Sequence, residues 1–285
     1  MTPIEIEIYK SYAQNIARPL SCETPVEISV AKIAKRYDAI FFDAFGTLYA
    51  YQNKVYPGAL SMFRFFREQK KQIRLITNAA TKAKEELLQE VNSMGFDFSL
   101  EEIFSSGEVF KDLNHEWNYK SAVFIGNESG KSYLRAAGIT DFSDRENAVV
   151  ITSLPGEDSL RETILKILSR PNAHLIVLNP DAYAPRIGSE RVPVTGTYAY
   201  KLHLETGCRI SYGGKPFPKL FQNALASLPA GSRTLMIGDT LGTDILGAQA
   251  AGIDSCLIPG RNMETAVLTR DEELLGLRPN YYLNP

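Results

Sequence analysis

Short apolar runs alternate with segments of helical spacing along almost the whole chain. The run AIFFD (39–43) comes first, and Pro57 and Gly58 then open ALSMFRFFREQ, whose apolar positions recur at helical spacing. IRLIT (73–77) reads as the next strand, and a helix through KAKEELLQEVNSM follows, with Thr81 as its expected N-cap and Gly95 as its stop. A third cycle runs through IFSS, VFKDLN and AVFIG (122–126). Toward the C-terminus RTLMIGD (233–239) and DSCLIP (254–259) read as strands around the helix TDILGAQAA (243–251), which Gly252 ends. Strands alternating with helices of this length require parallel crossovers, so the pattern predicts a doubly wound α/β sheet. Ligands of such sheets sit off the carboxyl ends of the strands. Asp43, Thr77 and Asp239 each close an apolar run, which makes them the first candidates for chemistry.

Residues 128–208 have strand and helix patterns of their own (AVVITS, DSLRETILKILS, HLIVLN), separated by loops rich in Pro, Gly and Asp. They interrupt the first series, so the expected organisation is an α/β core over 37–127 and 209–285 with an inserted α/β domain at 128–208. Residues 1–36 precede the first core strand and read as an N-terminal extension with one or two short helices.

Composition narrows the function classes. At 285 residues, 44% hydrophobic and 22% charged, the chain has enough apolar material for a substantial core. Its 31 basic and 33 acidic residues give a net charge of −2 with no basic run, which argues against a nucleic-acid partner. No stretch has the ~18 consecutive apolar residues of a membrane helix, and the N-terminal residues lack a signal-peptide pattern. Cys22, Cys208 and Cys256 form neither a disulfide framework nor a zinc pattern, and His115, His174 and His203 are scattered. A soluble, reduced, cytoplasmic protein is expected.

Four short stretches carry candidate chemistry. In FFDAFGTL (41–48), Asp43 ends a strand before a tight Gly turn, placed to attack an electrophile or to cap the turn. In LITNAA (75–80), Thr77 and Asn78 offer a hydroxyl and an amide suited to an anionic oxygen, although such pairs are also common in turns. In GGKP (213–216), two glycines allow close backbone approach and Lys215 supplies a positive charge, whereas most such lysines are solvated. In MIGDTLGTDILGAQAAG (236–252), Asp239 ends a strand and Asp244 begins a helix. Carboxylates so placed repel one another unless a cation lies between them, and hard oxygen ligands suit magnesium. Asp244 alternatively serves only the helix N-terminus.

Taken in order, FDxxGT, TN, GKP and GDxxxTD resemble the motifs of the haloacid dehalogenase superfamily, and their spacing resembles its class IIA phosphatases. The likeness extends over about residues 37 to 270 and includes PGAL (57–60), IFSSG (103–107), FIGNESG (124–130) and LNPD (178–181). It implies a Rossmann-like core with a cap inserted between the Thr and Lys motifs, and a small phosphorylated substrate. It also implies that Asp43 is a nucleophile forming an aspartyl-phosphate, and that Thr77, with Asn78 nearby, holds a phosphoryl oxygen. Lys215 would bridge Asp43 and the phosphate. Magnesium (Mg2+) would be held by Asp43, Asp239 and the Phe45 backbone carbonyl, with Asp244 in support. The lid loop 178–196 would select the substrate through Asn179 and Asp181, whereas Arg186 and Arg191 fit a solvated loop better. A homodimer through the caps is compatible with the resemblance, but no stripe in the chain demands it.

One position departs from the pattern. Phosphatases of the superfamily carry a second aspartate two residues after the nucleophile, as proton donor, and here that residue is Phe45. General acid–base catalysis is worth ~10²–10⁴-fold, about 3–5 kcal/mol of barrier. The leading expectation is a phosphohydrolase, and the alternative is a weak or inactive relative that binds a phosphorylated ligand as a sensor or scaffold. A 2-haloacid dehalogenase shares an aromatic residue here. It does not use a metal, however, and its cap lies between the first two motifs, where this chain has one helix and its loops.

Overall fold

The computed structural model describes residues 1–16, 24–155, 158–185, 191–259 and 265–283, with no side chains for 158, 159, 185, 191 and 265–267. Cys22 and Arg186 lie outside the described residues.

Ala39–Phe42 is buried at every position, which is why it reads as an unbroken apolar run. Ile40 and Phe42 face one cluster with Phe63, Phe66, Leu75 and Leu235. Phe41 faces the opposite cluster, with Ile76, Leu220, Phe221 and Met236. Both faces of the sheet are therefore covered, as a doubly wound fold requires. The sheet has seven strands in the order Val26–Glu27, Tyr281–Tyr282, Asp254–Leu257, Thr234–Gly238, Ala39–Phe42, Gln72–Thr77, Ile103–Ser105. Every pairing in it is parallel. The helix Ala59–Glu68 packs Ala59, Met62, Phe63 and Phe66 inward, the spacing of one helical face.

A second sheet orders Arg209–Tyr212, His174–Val177, Ala148–Ile151 and Val123–Ile125, again all parallel. Its two outer strands fall outside the expected insertion at 128–208: residues 123–125 and 209–212, read from the sequence as core, pair here instead. An apolar run signals a buried strand but not the sheet that receives it. The chain leaves the larger sheet after Val109–Trp117 and returns only past Tyr212.

Two other expectations change. The helix after IRLIT begins at Lys84 with Ala83 as N-cap, not Thr81; the Ala83 N–H donates to Glu86 Oε2 at 2.9 Å, so a carboxylate from within the first turn caps it. The helix beginning near Thr243 is preceded by a wider π-type turn, Leu241–Ile245, and becomes α-helical at Leu246–Ala250.

The N-terminal extension is built into the fold. Val26–Glu27 adds an edge strand beside Tyr281–Tyr282, and Val30–Arg36 forms a short helix. Pro3–Gln14 forms a helix whose start is set by a Thr2–Glu5 capping box and a proline in its first turn. Its Ile6, Ile8, Tyr9 and Tyr12 join a core cluster with Leu241, Ile245 and Leu246 of the larger unit and with Ala182 and Tyr200 of the smaller. No helix among the described residues is long and apolar enough to cross a membrane.

His174 is fully buried in the smaller sheet. Its Nδ1 lies 3.0 Å from the Tyr119 hydroxyl, its Nε2 lies 2.9 Å from Ser211 Oγ, and its ring meets Trp117 at 4.6 Å. Burial, aided by Arg209, lowers its pKa from 6.5 to about 4. Between those values the unfolded chain binds a proton that the folded chain refuses, so this contribution to stability is complete above pH 6.5 and is lost as pH falls toward 4. The urea midpoint is therefore expected to fall between pH 7.5 and pH 5, and the fall should be smaller in His174→Gln. Equal pH dependence in both proteins would refute this account.

Candidate active site

The strand order places Ala39–Phe42 between Gln72–Thr77 and Thr234–Gly238. Because all three run parallel, the residues that follow them, Asp43, Asn78 and Asp239, emerge side by side at one rim. Asp43 and Thr77 are almost wholly buried there. Thr77 Oγ1 accepts the Ala79 N–H at 3.2 Å, which orients the hydroxyl at the strand end.

Lys215 reaches this rim from the loop that joins the two sheets. Its ammonium, 2% exposed, donates to Asp43 Oδ1 at 2.5 Å and to Asp244 Oδ1 at 2.7 Å. The approach depends on Gly214, which has φ +95°; a Cβ there would stand 2.5 Å from Asn78 Oδ1. That oxygen instead accepts the Lys215 N–H at 2.7 Å, and Asn78 Nδ2 donates to the Lys215 carbonyl at 3.0 Å and to Asp181 Oδ1 at 2.7 Å. Both amide protons of Asn78 are thus engaged in holding the lysine loop and Asp181, a role the sequence did not suggest.

Asp244 Oδ2 accepts from the Asp239 and Thr240 N–H groups at 3.2 and 3.1 Å, so this side chain organises the loop as well as facing Lys215. Asp43, Asp239 and Asp244 each offer a carboxylate oxygen, and these atoms all lie within 4.8 Å of one another. Asp43 Oδ2 is buried with no hydrogen-bond partner. Three carboxylates therefore crowd around one ammonium, with an acceptor left over. Burial raises the Asp43 carboxyl well above its usual range; Lys215 opposes the rise, and Asp244 and Asp239 add to it. Burial works to lower the Lys215 ammonium, but Asp244, Asp43 and Asp181 outweigh it and keep the lysine charged. Hard, negative oxygen donors in excess of positive charge fit a divalent cation of the magnesium or calcium type.

The rim opens into a cleft of about 410 Å³ lined by Thr77, Asn78, Asn179, Asp181 and Lys215 among others. Asn179 Oδ1 accepts the Asp181 N–H at 3.2 Å, which fixes the turn carrying both. Desolvation raises the Asp181 carboxyl against the pull of Lys215 and Asn78. Phe45 also lines the cleft and meets Tyr49 edge-on at 6.1 Å, so this part of the wall is aromatic. Arg191 is described only as the first residue of the short strand Arg191–Pro193. Sequence reasoning missed Tyr9, Tyr49 and the Lys82–Glu90 ion pair (2.5 Å), all of which line the cleft. None stands in a recognisable motif; the only hint of Tyr9 is the apolar spacing of its helix.

Comparison with known proteins agrees with this layout. Residues 40–140 match the family model of haloacid dehalogenase-like hydrolases, and residues 212–284 match a second, HAD-hydrolase-like model. A 4-nitrophenylphosphatase from Schizosaccharomyces pombe is 25% identical over 87% of this chain and 91% of its own length. An acid sugar phosphatase from Staphylococcus haemolyticus is 26% identical over 84% and 89%. The crystal structure of a possible sugar phosphatase of the HAD superfamily from Cytophaga hutchinsonii superposes with a TM-score of 0.81, at 25% identity, covering 92% of this chain and 98% of that one. Matched by both models on the segments that build the rim, the chain belongs to the haloacid dehalogenase-like hydrolases.

Proposed function

We propose that the protein is a magnesium-dependent phosphohydrolase acting on a small phosphorylated metabolite through an aspartyl-phosphate on Asp43. The observation that carries this reading is the buried meeting of Lys215 with Asp43 and Asp244, with Asp239 close by and one Asp43 oxygen unpartnered. The names of the similar phosphatases support the reaction class.

In this mechanism Asp43 attacks phosphorus in line, the P–O bond to the leaving oxygen breaks, and the electron pair departs with that oxygen. Water then hydrolyses the acyl phosphate and restores the carboxylate. Lys215 neutralises Asp43 and the equatorial oxygens, and Thr77 donates its hydroxyl to one of them. Asn78 keeps the lysine loop in register, and Asn179 and Asp181 face the rest of the substrate. Asp43, Asp239, Asp244 and the Phe45 carbonyl are the groups that would hold magnesium. When bound, the ion offsets the charge that gathers as phosphorus is attacked.

Phe45 holds no proton to give, so the leaving group departs unprotonated by the protein. Phosphoanhydrides, acyl phosphates and esters of acidic alcohols suit such a site, and simple alkyl phosphates do not. The lack of a proton donor at Phe45 also motivates a second reading, a protein that binds a phosphorylated ligand without turning it over.

With magnesium, the protein is expected to release phosphate from 4-nitrophenyl phosphate or acetyl phosphate. Chelation and Asp43→Asn should each abolish the release. Tight binding of phosphometabolites with no release across a broad panel would favour the second reading.

Magnesium at one hundred times its Kd should stabilise the fold by about 2.7 kcal/mol, measured as a shift in the denaturation midpoint. Asp239→Asn should reduce the shift; an unchanged midpoint in the parent protein would count against the metal site.

Phe45→Asp is expected to raise hydrolysis of alkyl phosphates by about 10²–10⁴-fold, the range of general acid catalysis, with a much smaller gain on 4-nitrophenyl phosphate. Equal gains on both would mean that proton supply is not what Phe45 withholds.

A further inference from the structure

The helix Pro3–Gln14 belongs to neither sheet, yet its side chains reach three of the segments that present site residues. Tyr12 is fully buried, and its hydroxyl donates to the Pro180 carbonyl at 3.0 Å, one residue before Asp181. Its ring packs edge-on against Tyr212 at 4.8 Å and Phe217 at 5.1 Å. Those two rings stack on each other at 4.6 Å with 6° between their planes. Tyr212 and Phe217 stand on either side of the loop that carries Lys215, so Tyr12 rests on both ends of it. Burial holds the Tyr12 phenol protonated, and it therefore stays a donor.

Nearly one turn earlier, Tyr9 is 1% exposed and lies across Gly242, where a Cβ would come within 2.2 Å of the ring. Gly242 belongs to the turn Leu241–Ile245 that holds Asp244. A third tie runs from the Tyr200 hydroxyl, on the helix Thr195–Thr206, to Glu7 Oε1 at 3.0 Å. One helix thus contacts the lysine loop, the turn before Asp181 and the turn bearing Asp244.

The geometry points to the N-terminal helix as a brace for the active site, with Tyr12 a positioning residue that holds the Lys215 loop and Asp181 in place opposite Asp43. The physical need is plain from the connectivity. Residues 213–217 are where the chain returns from the smaller sheet to the larger, so a shift between the two sheets bears on the loop that carries Lys215. Asn78 ties this loop to Asp181 from the cleft side, and Tyr12 ties the same two segments from behind. Tyr12 touches no reacting atom; it acts through Lys215 and Asp181. A tyrosine that merely filled space would tolerate loss of its hydroxyl with no effect confined to these segments.

Tyr12→Phe keeps the ring and removes only the hydroxyl, and Tyr12→Ala removes both. Hydrogen exchange on the full chain reads the brace without any substrate. In Tyr12→Phe the amides of 178–183 and 213–217 should exchange about fivefold faster, the fold-change of one lost hydrogen bond, with Ala39–Phe42 and Thr234–Gly238 unchanged. Tyr12→Ala should enlarge the effect in the same segments. Unchanged exchange in Tyr12→Phe, or acceleration spread evenly through both sheets, overturns the proposal.

The kinetic arm rests on the phosphohydrolase reading. With magnesium and 4-nitrophenyl phosphate as probe, kcat should fall about tenfold in Tyr12→Phe, as misplacement of a catalytic group predicts, and further in Tyr12→Ala. If the parent protein does not hydrolyse the probe, that reading fails while exchange still decides the brace.

Discussion

Lys215 carries its ammonium into the interior and shares it between Asp43 and Asp244, two carboxylates that no short stretch of chain brings together. Two unit charges 4 Å apart interact by about 4 kcal/mol at an effective dielectric constant near 20. An unpaired lysine, or three facing acids without it, would therefore be a severe liability at this depth. The lysine removes only part of the imbalance, because Asp239 adds a third carboxylate to the group. The same surplus of negative oxygen that would cost stability in a bare core is what a divalent cation would offset, in keeping with the proposed reaction.

The sheet makes this arrangement available and the second unit completes it. Parallel pairing brings the ends of three strands to one rim, so Asp43, Asn78 and Asp239 need no special loops to meet. Lys215 and Asp181 come from beyond the rim, on segments that leave or border the smaller sheet, and their placement depends on side chains. Asn78 spends its amide on that task, and the N-terminal helix packs behind the same segments. Phe45 adds an apolar ring, set edge-on against Tyr49, to the lining of the cleft.

Much of the larger sheet and of the site was legible in the chain because strands buried on both faces appear as apolar runs and active groups follow their ends. Asp43, Thr77 and Asp239 were found that way, and Lys215 and Asp244 through ordered motifs. Less legible were the limits of the second unit. Val123–Ile125 and Arg209–Tyr212 look like any other short strand, and only pairing assigns them to the smaller sheet. Thr81 had the residue type of a cap, but Glu86 from the first turn took the free N–H group instead.

The amino-acid sequence by itself determined the strand–helix alternation, the family and the set of acidic and basic groups available for chemistry, since each depends on residue type and on spacing over a few turns. Tertiary structure alone decided that Asn78 is a clamp, that Val26–Glu27 extends the sheet, that Tyr9 lines the cleft and that Tyr12 supports the lysine loop. These are contacts between segments tens to hundreds of positions apart, in which a tyrosine on a helix face carries no mark of what it will meet. Hydrophobic periodicity records that a side chain is buried, whereas its partner is set by the packing of the whole molecule.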